Sequence, residues 1–192
     1  MNNGLDTLDR RALVRALLTT IDPEPDREGL VDTPKRVDKA YKELFAGYDQ
    51  HPDDILKTTF EEGSCDEMVV LRDIVGYSTC EHHVLPFSYV AHVGYVPAGK
   101  VVGISKLARL VELFGRRLQI QEKLTTQIAD TLVDKIKPKG VMVVIEGQHL
   151  CMLARGVKQH RSVMVTSAVR GLFKEDEKAR REFLSLIGKG GA

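Results

Sequence analysis

Cysteine is scarce: three residues, an odd number, in a chain of 192. Cys65, Cys80 and Cys151 make no disulfide framework, and in a reducing compartment they stay available as thiols or metal ligands. Excess charge is missing too. The balance of 28 basic against 27 acidic residues gives a net charge of +1, so no overall field draws in nucleic acid or an anionic membrane, and anion binding must be local. A long apolar run is absent from the start of the chain, where Asp6, Asp9, Arg10, Arg11 and Arg15 interrupt MNNGLDTLDRRALVRALLTTI. That excludes a signal core or a membrane span there and makes a cytoplasmic protein the expectation. Internal repeats are lacking, and the only low-complexity stretch is the tail 188–192, read as flexible.

What is present reads as one substantial core with an appended helical arm. Leu8, Ala12, Leu13, Ala16, Leu17 and Ile21 recur at helical spacing before the helix-stopping Asp22-Pro23-Glu24-Pro25. Asp32-Thr33-Pro34 reads as a second helix start, with Thr33 as cap and an apolar stripe of Val37, Ala40, Tyr41, Leu44 and Phe45 running to Gly47. Residues 68–75 and 89–96, rich in Val, Ile and Tyr, predict strands. Helices follow from Ser105 and around Ile120 to Ile136, then strands over 141–153 and 162–169, then a last helix carrying Phe173, Leu184 and Ile187. Paired strands, two helices and paired strands again predict an α+β domain over 51–192, with a mostly antiparallel sheet, helices on one face and an N-terminal helical arm over 1–50.

Between the first two strands lies STCEHHVLPF, with a thiol and two imidazoles inside four positions. Cys80-x-x-His83 has a spacing at which two side chains of one turn reach a tetrahedral zinc, and Cys151 can supply a third ligand, leaving one position open for a water. His149 and Cys151, two apart in the predicted strand, would project from the same face, placing an imidazole beside the metal. Taken singly, each of these thiols and imidazoles is also an ordinary core residue. Two thiols with an imidazole are, together, a recurrent zinc set.

Ser105-Lys106-Leu107-Ala108-Arg109 opens a helix with a hydroxyl, free N–H groups and two cations on one face, a phosphate seat or a solvated face. Arg155, just after the Cys151 segment, adds a third cation. Gln121-Glu122 at the next helix start reads either as a solvated, dipole-matched pair or as a carboxylate able to accept two parallel hydrogen bonds from an edge such as guanine's.

CEHH, GISKLARLVELF, Gln121-Glu122, EGQHLCMLARG and VTSAVRGLF resemble GTP cyclohydrolase I in order and spacing, from about Asp32 to Phe173. The resemblance implies a tunnelling fold, a toroidal homodecamer with active sites at subunit interfaces, and conversion of GTP and water to formate and 7,8-dihydroneopterin triphosphate, the entry to folate or related pterins. It implies zinc held by Cys80, His83 and Cys151, catalytic histidines His82 and His149, and guanine recognition at Gln121 and Glu122. It further implies triphosphate contacts at Lys106, Arg109 and Arg155, with Ser105 beside the nucleotide and Arg36 and Lys39 near the triphosphate. Two other readings compete: a zinc-stabilised assembly module with no need for His82, His149 or Glu122, and a zinc enzyme of the same scaffold with another substrate.

Overall fold

Alternation along one strand, Gly140–His149, decides the layering. Val141, Val143 and Ile145 point into one apolar cluster, while Met142 and Val144 point into another, because successive side chains of a strand face opposite ways. A strand covered on both faces needs no polar alternation, which is why this segment reads as an unbroken apolar run.

The computed structural model describes residues 9–61 and 65–188; Leu8 and residues 189–192 of the expected tail lie outside them. The chain forms two compact units, Met1–Phe45 and Ala46–Ala192. In the first, α1 (Arg10–Ile21) is capped by Asp9, whose carboxylate accepts from the Arg11 N–H. A short α2 (Glu28–Val31) leads to α3 (Thr33–Leu44), which has Pro34 in its first turn. Thr33 is the first helical residue and Asp32 the cap position, one residue earlier than the sequence suggests. Arg10 and Arg11 of α1 reach the Asp38 carboxylate of α3 at 2.8 and 3.5 Å.

The second unit opens with a 3-10 turn, Ala46–Asp49. Its helices are α4 (Pro52–Leu56), α5 (Ile104–Gly115), α6 (Gln121–Ile136), α7 (Leu150–Leu153), α8 (Leu172–Glu175) and α9 (Glu177–Leu186); its strands are β1 (Thr59–Phe60), β2 (Val69–Cys80), β3 (Pro86–Val96), β4 (Val101–Val102), β5 (Leu118–Gln119), β6 (Gly140–His149) and β7 (Met164–Gly171). The main sheet runs β5-β2-β3-β6-β7, and β1 pairs separately with β4. Within the main sheet β2–β3, β3–β6 and β6–β7 are antiparallel and β2–β5 is parallel, so the sheet is mixed.

Leu107, Leu110, Leu113 and Phe114 of α5 and Leu124, Ile128 and Leu132 of α6 fill the first cluster with inward residues of β3 and β6. Phe173, Ala179, Phe183 and Ile187 seal the opposite face. Helices on one face is therefore corrected: α8 and α9 cover the second face because Met142, Val144 and Val96 there must also leave water.

Candidate metal and nucleotide site

Three chain segments meet because of strand register. β2 runs on through buried Ser78 and Thr79 to Cys80, its last residue. A tight turn follows, closed by Val84 N–H to the Cys80 carbonyl and Cys80 N–H to the Leu85 carbonyl, both 2.9 Å. Val84 takes a left-handed φ of 53° there, unusual for a β-branched residue and a sign that the surroundings impose the turn. The parallel pairing of Cys80 with Gln119 sets β5 beside this turn, and β5 passes directly into α6, so Gln121 and Glu122 arrive next to Cys80. The pairing of Phe87 with His149 brings in the end of β6 from the other side, and the His149 ring stacks on Phe87 at 4.2 Å.

Cys151 sits on the helical turn α7, and β6 ends at His149, so the expected shared strand face for these two residues is corrected. The turn still folds Cys151 back: ligand atoms of Cys80, His149 and Cys151 all lie within 4.8 Å of one another. His82 and His83 stand alongside, with Nδ1 atoms 4.0 and 3.8 Å from the Cys80 Sγ. Burial and the neighbouring Cys80 thiol push the Cys151 thiol up from its ordinary pKa. A thiol raised in this way gives up its proton more readily once a nearby cation offsets the charge. Soft sulfur donors with imidazoles suit a divalent ion of the zinc class, so the donor set fits a metal.

These residues line a cavity of about 230 Å³ together with Gln119, Ile120, Gln121, Glu122, Met152 and Met164. Glu122 is exposed in the first turn of α6, suited to accept hydrogen bonds from a ligand. Burial lowers the His149 pKa, partly offset by the Glu122 carboxylate, and so favours a neutral ring. Gln119 is 1% exposed and donates from Nε2 to the Phe114 carbonyl and Gln127 Oε1, while its own Oε1 has no partner among the described residues.

Residues 10–188 match the GTP cyclohydrolase I family. A GTP cyclohydrolase 1 of Wolinella succinogenes is 60% identical over 174 residues, covering 91% of this chain and 93% of that protein. The chain belongs to the GTP cyclohydrolase I family. Relatives of the same name from Mycolicibacterium vanbaalenii and Thermobifida fusca are 54% and 51% identical, over 95% and 96% of this chain and 91% and 89% of theirs. Among solved structures, an archaeosine synthase QueF-like protein in the apo form overlaps 54% of this chain and 93% of its own, at 20% identity and a TM-score of 0.45.

Set against the family's expected site, the structure groups Cys80, His82, His83, Gln121, Glu122, His149 and Cys151 around one cavity. Arg155 is exposed just beyond, its Nη1 3.5 Å from His83 Nε2. Ser105, Lys106 and Arg109 lie on α5, and none of them lines this cavity. Arg36 and Lys39 are exposed on α3, where they line a basic cleft of the first unit with Lys35 and Lys42. Sequence reasoning missed Gln119, Ile120, Met152 and Met164. Gln119 carried a faint signal as the first residue of Gln119-Ile120-Gln121, whereas nothing marks the two methionines apart from core residues.

Proposed function

We propose that this chain converts GTP and water to 7,8-dihydroneopterin triphosphate and formate, the first step of folate or related pterin synthesis. The observation that carries this reading is the Cys80, His149 and Cys151 cluster sharing one cavity with Glu122, His82 and His83. That combination supports the reading, because a donor set that fits a metal, further imidazoles and a carboxylate surround one cavity.

In this reading Cys80, His83 and Cys151 hold zinc. When bound, the ion supplies Lewis acidity toward water or a reacting oxygen. His82 and His149 act as the proton carriers that ring opening, sugar rearrangement and reclosure each require, since an imidazole gives or accepts a proton near neutral pH. A neutral His149, favoured by its partial burial, is the form that takes a proton first. Glu122 accepts the paired N–H donors of guanine, and a base lacking them would leave the carboxylate unmatched. Arg155, Lys106 and Arg109 bind the triphosphate, with Ser105 beside the nucleotide and Arg36 and Lys39 as further cations.

Because Ser105, Lys106 and Arg109 do not line the cavity of their own chain, we assign them to the site of a second copy. Exposed apolar side chains support assembly: β2, which β5 flanks only at Thr79 and Cys80, exposes Val75 and Tyr77, and the edge strand β7 exposes Val165. We extend this to a homodecamer of tunnelling-fold subunits with active sites between copies, placed in the cytoplasm, where the thiols stay reduced. No helix among the described residues is long and apolar enough to cross a membrane.

The test is incubation of purified, zinc-assayed protein with GTP, measuring formate and the fluorescent pterin formed on oxidising the product. Equimolar formation of both is expected. A zinc-loaded, assembled protein that yields neither would return the site to a structural metal or to another substrate.

A further inference from the structure

Gln121 is 1% exposed, and both ends of its amide are occupied. Nε2 lies 2.9 Å from the Ile145 carbonyl oxygen, 2.9 Å from the Met164 carbonyl oxygen and 3.1 Å from Thr166 Oγ1. Oε1 lies 2.9 Å from His149 Nε2. An amide and its flipped form look alike in shape, so the partners must decide which end is which. Turning this one over would press its oxygen against two carbonyl oxygens, neither of which has a proton to give. The NH₂ therefore faces the carbonyls and the oxygen faces His149.

The hydroxyls agree with that orientation. Thr125 Oγ1 donates to the Gln121 backbone carbonyl at 2.7 Å, which uses its single proton. In the 2.7 Å contact between Thr125 Oγ1 and Thr166 Oγ1, the donor is then Thr166. Thr166 Oγ1 is left with lone pairs facing the Gln121 NH₂, whose two protons are shared among the three acceptors.

We infer that Gln121 is a positioning residue, whose amide holds His149 in the tautomer carrying its proton on Nε2 and leaves Nδ1 as the ring's lone-pair nitrogen. Phe87, stacked on the imidazole at 10° between planes, fixes the ring's tilt while the amide fixes its rotation and proton. With its NH₂ engaged inside the protein and its oxygen turned to His149, the Gln121 side chain offers no donor to a base, and it reaches the substrate through His149. The inference rests on the proposed reaction for its kinetic consequence and on the geometry alone for the tautomer.

Two measurements test it. Ring ¹⁵N shifts of histidine-labelled, assembled protein, with the His149 signals identified by their loss in His149→Ala, are expected to show the Nε2–H form; an Nδ1–H form would overturn the inference. This arm needs no turnover, so it still decides if the wild-type protein leaves GTP untouched, an outcome that counts against the reaction instead. In the kinetic arm, Gln121→Met, which keeps the volume but removes the acceptor, is expected to lower kcat at least about tenfold with the KM for GTP nearly unchanged. In a His149→Ala background, Gln121→Met is expected to cost nothing further. A rise in KM at constant kcat, or a full additional loss in that background, would show instead that Gln121 acts on the substrate itself.

Discussion

At the scale of single residues, the site turns on which imidazole joins the two thiols. Cys80, His149 and Cys151 are the compact trio, with His149 Nε2 engaged by Gln121 and Nδ1 left over, and His83 stands 3.8 Å from Cys80 Sγ with Arg155 near its other nitrogen. A ligand histidine keeps one nitrogen for the metal, and its second is usually oriented by an outer partner. The proposed assignment predicts that Cys151→Ala and His83→Ala lose bound zinc. His82→Ala and His149→Ala are predicted to retain it and lose most turnover. Metal content by mass spectrometry beside single-turnover rates separates the two classes, and zinc loss in His149→Ala with retention in His83→Ala would exchange the roles of the two rings.

Between elements, the packing of β2, β3 and α5 depends on one phenol. Tyr89 of β3 is buried, and its hydroxyl passes between two glycines: a Cβ on Gly76 of β2 would fall 2.4 Å from Tyr89 Oη, and one on Gly115 at the end of α5 would fall 2.3 Å from it. Gly115→Ala is therefore expected to cost about 1–3 kcal/mol by overpacking, and Tyr89→Phe in the same chain to restore much of it, since the next ring atom, Cζ, is 3.2 Å away. Denaturant unfolding of the two single variants and the double variant measures that coupling. Burial also pushes the Tyr89 phenol up from 10.0 to about 12. The fold holds this phenol neutral, so its contribution to stability is complete below pH 10 and is lost as the pH rises from there toward about 12. A spectrophotometric titration should show a late tyrosine step, absent in Tyr89→Phe.

The same scale shows what could be read from the chain alone. Helices α3, α5 and α6 were legible because an apolar stripe at helical period is specific and Thr33-Pro34 and Pro138 punctuate it. The end of β2 was not, because Ser78 and Thr79 look like turn residues. They are buried by pairing with β3 and by the Ser78 hydroxyl donating to the Arg117 carbonyl, contacts far away in sequence. Leu150-Cys151-Met152-Leu153 read as strand because a short apolar run has no period of its own to tell it from helix. Thiols and imidazoles announced themselves by rarity and spacing, whereas the fixed direction of the Gln121 amide depends on Ile145, Met164 and Thr166 and appears only in three dimensions.

For the whole molecule, the separation of the α5 cations from the cavity has a consequence that a monomeric enzyme would not share. If Lys106 and Arg109 of one copy complete the site of another, a chain lacking its metal and a chain lacking its cations can repair each other. Cys151→Ala and Lys106→Ala should each be nearly inactive alone. Co-assembled at equal ratio they should regain activity in roughly a quarter of their sites, those that draw the thiols from the Lys106→Ala chain and the lysine from the Cys151→Ala chain. Assembly itself is expected to depend on the β7 edge. Val165 is 61% exposed on β7, and Val165→Lys sets a charge on a strand that has no neighbour on its outer side among the described residues. Light scattering should then report a smaller particle, and turnover should fall with the mass even though Cys80, Cys151 and Glu122 are untouched. Full activity in a dispersed Val165→Lys protein, or no recovery on co-assembly, would place every group of the site within one chain.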